Sequence, residues 1–123
     1  MRISAIGPAR FSANLKKENL TFLKKLLSSP FENLRYHAVG ALGDVPGTKS
    51  ISPLIKAFND KSWVVRAKAS EVLQSKGTEA IPFLKKAFMK GNSDIKYWSI
   101  KLIAKIMKTK AIGVLEDLIK KTP

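Results

Sequence analysis

One block of sequence occurs twice, 30 positions apart, and this repetition limits the possible folds more than any other feature of the chain. Residues 47–58 (Gly47-Thr48-Lys49-Ser50-Ile51-Ser52-Pro53-Leu54-Ile55-Lys56-Ala57-Phe58) match residues 77–88 at seven of twelve positions. Phe22-Leu23-Lys24-Lys25 returns as Phe83-Leu84-Lys85-Lys86, 61 positions on, and a weaker copy runs from 112 to 119. Aligned, the four copies give the apolar columns Leu20/Ile51/Ile81/Ile112, Leu23/Leu54/Leu84/Leu115 and Leu27/Phe58/Phe88/Ile119. Within a copy these positions lie three or four residues apart, so they share one face of a helix, here termed B. A second unit alternates with it. Residues 34–43, 65–74 and 95–104 align, with Leu34, Ala38, Ala41, Leu42 and their equivalents at i, i+4, i+7 and i+8. These are A helices, and the small Ala38 and Ala69 on that face suit close approach of a neighbouring helix.

Turn chemistry agrees. Ser29-Pro30-Phe31-Glu32 has the form of a capping box with Pro at the first helical position. Gly47-Thr48, Gly77-Thr78 and Gly91-Asn92 each offer a left-handed Gly after one helix and a capping side chain near the next. Pro53 and Pro82 must sit in first helical turns, because deeper inside they would break a backbone hydrogen bond. The spacing predicts helices at about 13–28, 31–45, 48–59, 62–76, 79–90, 93–108 and 110–121, and no alternating stretch predicts a strand. A hairpin of about 30 residues cannot bury its own apolar face, whereas stacked hairpins share a continuous core. The expected fold is therefore all-α: an α-solenoid (alpha-alpha superhelix, armadillo-like) of about three and a half helical hairpins over a single domain at 13–121. Residues 1–12 are expected to form an arm or cap, since the first B helix has no A helix before it. Otherwise a second copy or a larger assembly must cover that end.

The chain has 123 residues, 23 Lys+Arg against 9 Asp+Glu, and a formal net charge of +14. It has no Cys, which removes disulfides, thiolate nucleophiles and Cys-ligated metals. Its apolar runs fall short of the ~18 residues that span a bilayer, and Met1-Arg2-Ile3-Ser4-Ala5-Ile6-Gly7-Pro8 lacks the apolar core of a secretory signal. The expectation is a soluble, cytoplasmic, strongly basic domain with no membrane span.

Asp60-Lys61-Ser62-Trp63-Val64-Val65-Arg66, followed by an Ala-rich helix, resembles the D-x-x-x-x-V-R signature of short HEAT repeats. Ala41-Leu42-Gly43-Asp44, then Ile51 and Leu54, resembles the other half of that unit. The resemblance is to the phycobilin-lyase-like HEAT class and covers about residues 17–121. It implies stacked helical hairpins. It leaves function open, because the family includes scaffolds, chromophore-lyase subunits, a hydroxylase and relatives of DNA glycosylases. It also implies a structural role for the column Arg35, Arg66 and Lys96, with Asp60 placed to pair with Arg66.

Catalytic chemistry finds few candidates. His37 is the only histidine, aligns with Lys68 and Trp98, and is expected on an exposed helix face, so no metal is expected. The carboxylates are scattered over helix starts and turns, and only Glu116 and Asp117 are adjacent, splayed on a helix. One His and no Gly-x-Ser-x-Gly elbow leave no base to activate a Ser or Thr. Gly47-Thr48-Lys49-Ser50 lacks the Gly-x-x-x-x-Gly-Lys order of a phosphate loop. No catalytic residue and no cofactor is expected.

The basic residues align with the repeat. Lys25, Lys56 and Lys86 form one B-helix column, and Lys24 and Lys85 belong to its neighbour. Stacked helices would turn these into a positive stripe, against the alternative of a merely solvated face. On the last A helix, Tyr97 and Trp98 stand beside Lys101 and Lys105, where aromatic rings could stack on bases or enter a protein groove, or instead close off the broadly apolar terminal repeat. Trp63, in a turn, is expected to pack. The preferred function is a non-enzymatic scaffold that binds an acidic protein through the Lys-lined B surface. The alternative is nucleic-acid backbone binding through the same stripe, and a third reading is a subunit of a chromophore-lyase-like complex.

Overall fold

The computed structural model describes residues 17–108 and 111–122. It consists of α1 (Lys17–Leu26), α2 (Glu32–Gly43), α3 (Ile51–Lys56), α4 (Trp63–Lys76), α5 (Ile81–Lys90), α6 (Ser93–Met107) and α7 (Ala111–Lys121). A 3-10 turn over Ala57–Asn59 extends α3, and another over Gly77–Ala80 leads into α5. Among the described residues there is no strand. The alternating units separate into two layers. The A helices α2, α4 and α6 pack in sequence, and on the other side α5 contacts both α3 and α7, with α1 against α2. The expected arm at 1–12, and the expected start of the first helix at 13, lie outside the described residues.

The apolar columns become the core. Leu23, Leu54 and Leu84 are buried, as are Ile51, Ile81 and Phe58, and on the A side Leu42, Leu73 and Ile103. They belong to one cluster that runs from Leu23 in α1 to Leu118 in α7. Ala38, Ala69 and Ser99 occupy the small-residue column and are all buried. The columns fail where the stack stops. Leu34 is 43% exposed in the first A helix and Ile119 is 61% exposed in the last B helix, where no described helix lies beyond them in the stack.

Several turns differ from expectation. Helix α2 starts at Glu32 rather than at Pro30, with Phe31 as its N-cap residue and no side-chain cap. Ser29 Oγ instead accepts from the Phe31 N–H at 3.1 Å, so the capping box does not form. Gly47 and Gly77 adopt positive φ (80° and 69°), but Gly91 does not, at φ −81°. Gly91 is required for space: a Cβ there would lie 2.4 Å from Ile95 Cγ2 and 2.6 Å from the Ala87 carbonyl oxygen. Asn92 does cap α6, accepting from the Ile95 N–H at 3.0 Å.

The arginine column also needs correction. Asp60 pairs with Arg35 of the preceding repeat, through Nε at 2.8 Å and Nη2 at 3.2 Å, and not with the Arg66 guanidinium. Arg66 Nη1 donates to the Asp60 backbone carbonyl. Arg35 Nη1 also donates to the Ser29 carbonyl at 2.9 Å, so a single guanidinium ties the α1–α2 turn to the α3–α4 turn. A second tie comes from Lys76, whose ammonium donates to the Val45 and Gly47 carbonyls. Burial lowers the Lys76 pKa, and the Glu79 and Asp44 carboxylates work against that shift.

Candidate functional site

The apolar faces of the B helices turn inward, so their polar residues form an outer surface, with one furrow between α1 and α3 and another between α3 and α5. The first furrow lies between the C-terminal end of α1 and α3 and has a volume of about 500 Å³. Lys24 and Lys56 rim it, Ser28, Ser52 and Asn59 supply hydroxyl and amide groups, and Leu27, Pro53 and Ala57 supply apolar surface. Asp60 reaches this furrow too, but Arg35 already engages its carboxylate, and the Ser62 N–H donates to it at 2.9 Å. The second furrow lies between α3 and α5 and measures about 430 Å³. Its floor and walls are Ile55, Pro82, Phe83 and Ala87, and Lys56, Lys86 and Lys90 rim it. Lys56 and Ser52 belong to both, so the two furrows adjoin each other on either side of α3.

This geometry sorts the basic residues anticipated from sequence. Lys24, Lys56 and Lys86 line the furrows, whereas Lys25 and Lys85 do not. The row that faces the furrows thus crosses from one aligned column to the other between α1 and α3, and Lys24 takes the place foreseen for Lys25. Lys25 is exposed away from the furrow lining and Lys85 is half-buried. Sequence reasoning missed Lys90, although it follows Lys86 by four residues and so shares its helix face.

Tyr97, Trp98, Lys101 and Lys105 lie on α6, in the other layer, and do not join the lysine row. Trp98 is only 6% exposed, so of the two roles open to it, packing and surface binding, the structure shows packing. Its ring stacks on Phe58 with centroids 5.9 Å apart and meets Trp63 at 6.2 Å and Tyr97 at 5.5 Å. Trp63, expected to pack, is 63% exposed and touches Trp98 along part of its ring. Lys101 Nζ sits 5.1 Å from the Trp98 centroid and 5.5 Å from that of Tyr97, and covers both rings. Tyr97 and Lys105 remain exposed.

A third recess, on the A side, is lined by Tyr36, His37, Gly40, Asp44, Lys68 and Val72. His37 is exposed there, edge-on to Tyr36 at 5.5 Å. Lys68 bonds Glu71 at 3.0 Å, and that hydrogen bond raises the lysine pKa against the opposing effect of desolvation. Among the described residues, no three His, Cys, Asp or Glu side chains are grouped to hold a metal ion. No helix among them is long and apolar enough to cross a membrane.

Antiparallel helix pairs with a period of about 30 residues, stacked in two layers over one core, define an α-solenoid. The family profile of HEAT repeats matches residues 19–100, from α1 into α6, and the chain belongs to the HEAT-repeat family. Repeats of this kind generally mediate protein interactions and present an extended preformed surface. No curated protein matches the chain.

Proposed function

We propose that the chain is a non-catalytic, cytoplasmic scaffold that docks an acidic protein segment along the furrows between α1, α3 and α5. The observation that carries this reading is the adjacency of the two furrows on either side of α3, with Lys24, Lys56, Lys86 and Lys90 and apolar surface among their linings. Apolar walls supply burial, at roughly 25 cal/mol per Å² removed from water. The lysines supply attraction during encounter and reject basic partners. The net charge of +14 acts in the same sense over longer range. A phosphate backbone uses ammonium groups but gains little from walls such as Ile55, Pro82 and Phe83, so a protein partner fits the furrows better than a nucleic acid.

The test is fluorescence anisotropy at ~0.15 M salt, where the Debye length is ~8 Å. The probes are labelled peptides rich in Glu and Leu, a random single-stranded oligonucleotide and a random duplex. The acidic peptides should bind, and the K24E/K56E/K86E variant, with an unchanged circular dichroism spectrum, should lose at least tenfold in affinity. Tighter binding of either oligonucleotide than of any peptide, lost in the same variant, would move the surface to nucleic acid. Unchanged peptide affinity in the variant would remove the lysine row from the binding function.

A further inference from the structure

The two furrows offer different chemistry, and their order along the stack carries information about the ligand. In the first, two ammonium groups (Lys24 and Lys56) stand with the hydroxyls of Ser28 and Ser52 and the Asn59 amide. The one carboxylate there, Asp60, is neutralised by Arg35, with only 8% of its side chain exposed. That set of donors suits a carboxylate. The second furrow presents Ile55, Pro82, Phe83 and Ala87, with Lys86 and Lys90 confined to its rim. It suits an apolar side chain. Lys56 forms the shared wall.

Taking the lysine furrows to be a protein-docking surface, we infer that they form one composite site. The site takes an extended acidic segment with a Glu or Asp side chain in the first furrow and a large apolar side chain in the second, three residues apart. The spacing follows from helix packing. The two furrows flank α3, which packs on α5, and packed helices lie about 8–10 Å apart, so the furrows on its two sides are separated by about the same distance. In a β-strand, residues on one face are spaced by ~6.6 Å or ~13 Å, and neither matches. In a polyproline-type extended chain, three residues make one turn at ~3.1 Å each. Residues i and i+3 therefore point the same way about 9 Å apart. Either chain direction satisfies this, so the pair is defined by its separation and not by its order.

The test uses labelled twelve-residue Pro/Ser-based peptides of fixed composition, each with one Glu and one Phe. Their separation is one, three or five residues, and a further helix-stabilised peptide has a separation of seven. The peptide with separation three should bind at least tenfold more tightly than those with one or five. Exchanging its Glu for Gln should cost the wild type much more than the K24Q/K56Q variant. Phe83→Ala should erase the preference for spacing, and Pro82→Ser, at an exposed lining position, provides the same reading if the first variant loses its fold. Affinity that depends on the lysines but ignores spacing and Phe would overturn the composite site and leave the docking surface standing. Best binding by the helical peptide would overturn the extended ligand. Absence of any lysine-dependent peptide binding would remove the docking surface itself, and with it this inference.

Discussion

Asp60 holds three donors at once: Arg35 Nε, Arg35 Nη2 and the Ser62 N–H. The ion pair is nearly dry, with side chains 6% and 8% exposed, whereas Lys121–Asp117 stands in water at 63% and 58%. Exposed pairs contribute ~0–1 kcal/mol, but removing one member of a buried pair leaves an uncompensated charge and costs ~3–5 kcal/mol. Asp60→Ala should therefore destabilise the fold by about 3–5 kcal/mol in urea denaturation, and Asp117→Ala by less than about 1 kcal/mol. Because most of the loss comes from the stranded guanidinium, the R35M/D60A double variant should be more stable than D60A alone. A double variant whose loss equals the sum of the single losses would show that the two residues act separately. Sequence identified Asp60 and the structural nature of the arginine column, yet chose Arg66 as the partner. Repeat alignment places one Arg six residues after Asp60 and another 25 before it, and only the stacking of turns decides which guanidinium arrives.

Helix α2 carries two glycines that sequence does not tell apart, and its packing against α4 separates them. At Gly40 an added Cβ would meet only Lys68 Cε at 3.6 Å, an ordinary contact at the flexible end of a side chain. At Gly43 it would lie 2.9 Å from Val72 Cβ and 3.1 Å from Val72 Cγ1, both fixed close to the α4 backbone. Gly→Ala in a helix interior gains roughly 0.5–1 kcal/mol, while forcing atoms into a packed contact costs ~1–3 kcal/mol. Gly40→Ala should thus stabilise the protein by about 0.5–1 kcal/mol. Gly43→Ala should destabilise it by about 1 kcal/mol or more, since helix propensity offsets only part of the clash. Equal effects of the two substitutions in thermal or urea unfolding would contradict this packing of α2 on α4. Small residues at the A-helix contact were legible through Ala38 and Ala69, both buried. The tighter approach at Gly43 was not, because its repeat equivalents are Gln74 and Ala104 and no small column marks it. Trp98 is a similar case: its equivalents His37 and Lys68 suggested an outer position, but Phe58 and Trp63 close over it from the neighbouring helix pair.

Stacked repeats hold their stability unevenly, since each hairpin depends on the one beside it. Elements in the middle have neighbours on both sides, and Ile51, Leu54, Phe58, Val65, Ala69 and Leu73 of the α3–α4 pair are all 0% exposed. Toward the ends, Phe22 in α1 is 60% exposed and Ile119 in α7 is 61% exposed. The period of the sequence made this architecture readable, because apolar columns specify both the helix face and its neighbour. It could not show how the columns end, since the outermost described copies carry the same apolar residues as those in the middle. The lysine furrows depended on the same fact. Aligned columns put cations on one layer, but which of two adjacent columns faces a furrow follows from the relation between α1 and α3, and a pattern of residue types does not contain it. Local opening free energies fall from the global value in packed elements toward zero at fraying ends. Native-state hydrogen exchange should therefore find the slowest amides in α4 and in the core-facing positions of α5 and α6, and much faster exchange in α1 and α7. Ligand bound along α1, α3 and α5 should slow exchange in α1 most, because that helix has the most stability to gain from a partner across the first furrow. Uniform protection from α1 to α7 in the free protein would mean that the chain unfolds as one unit, without the nearest-neighbour energetics of a stack.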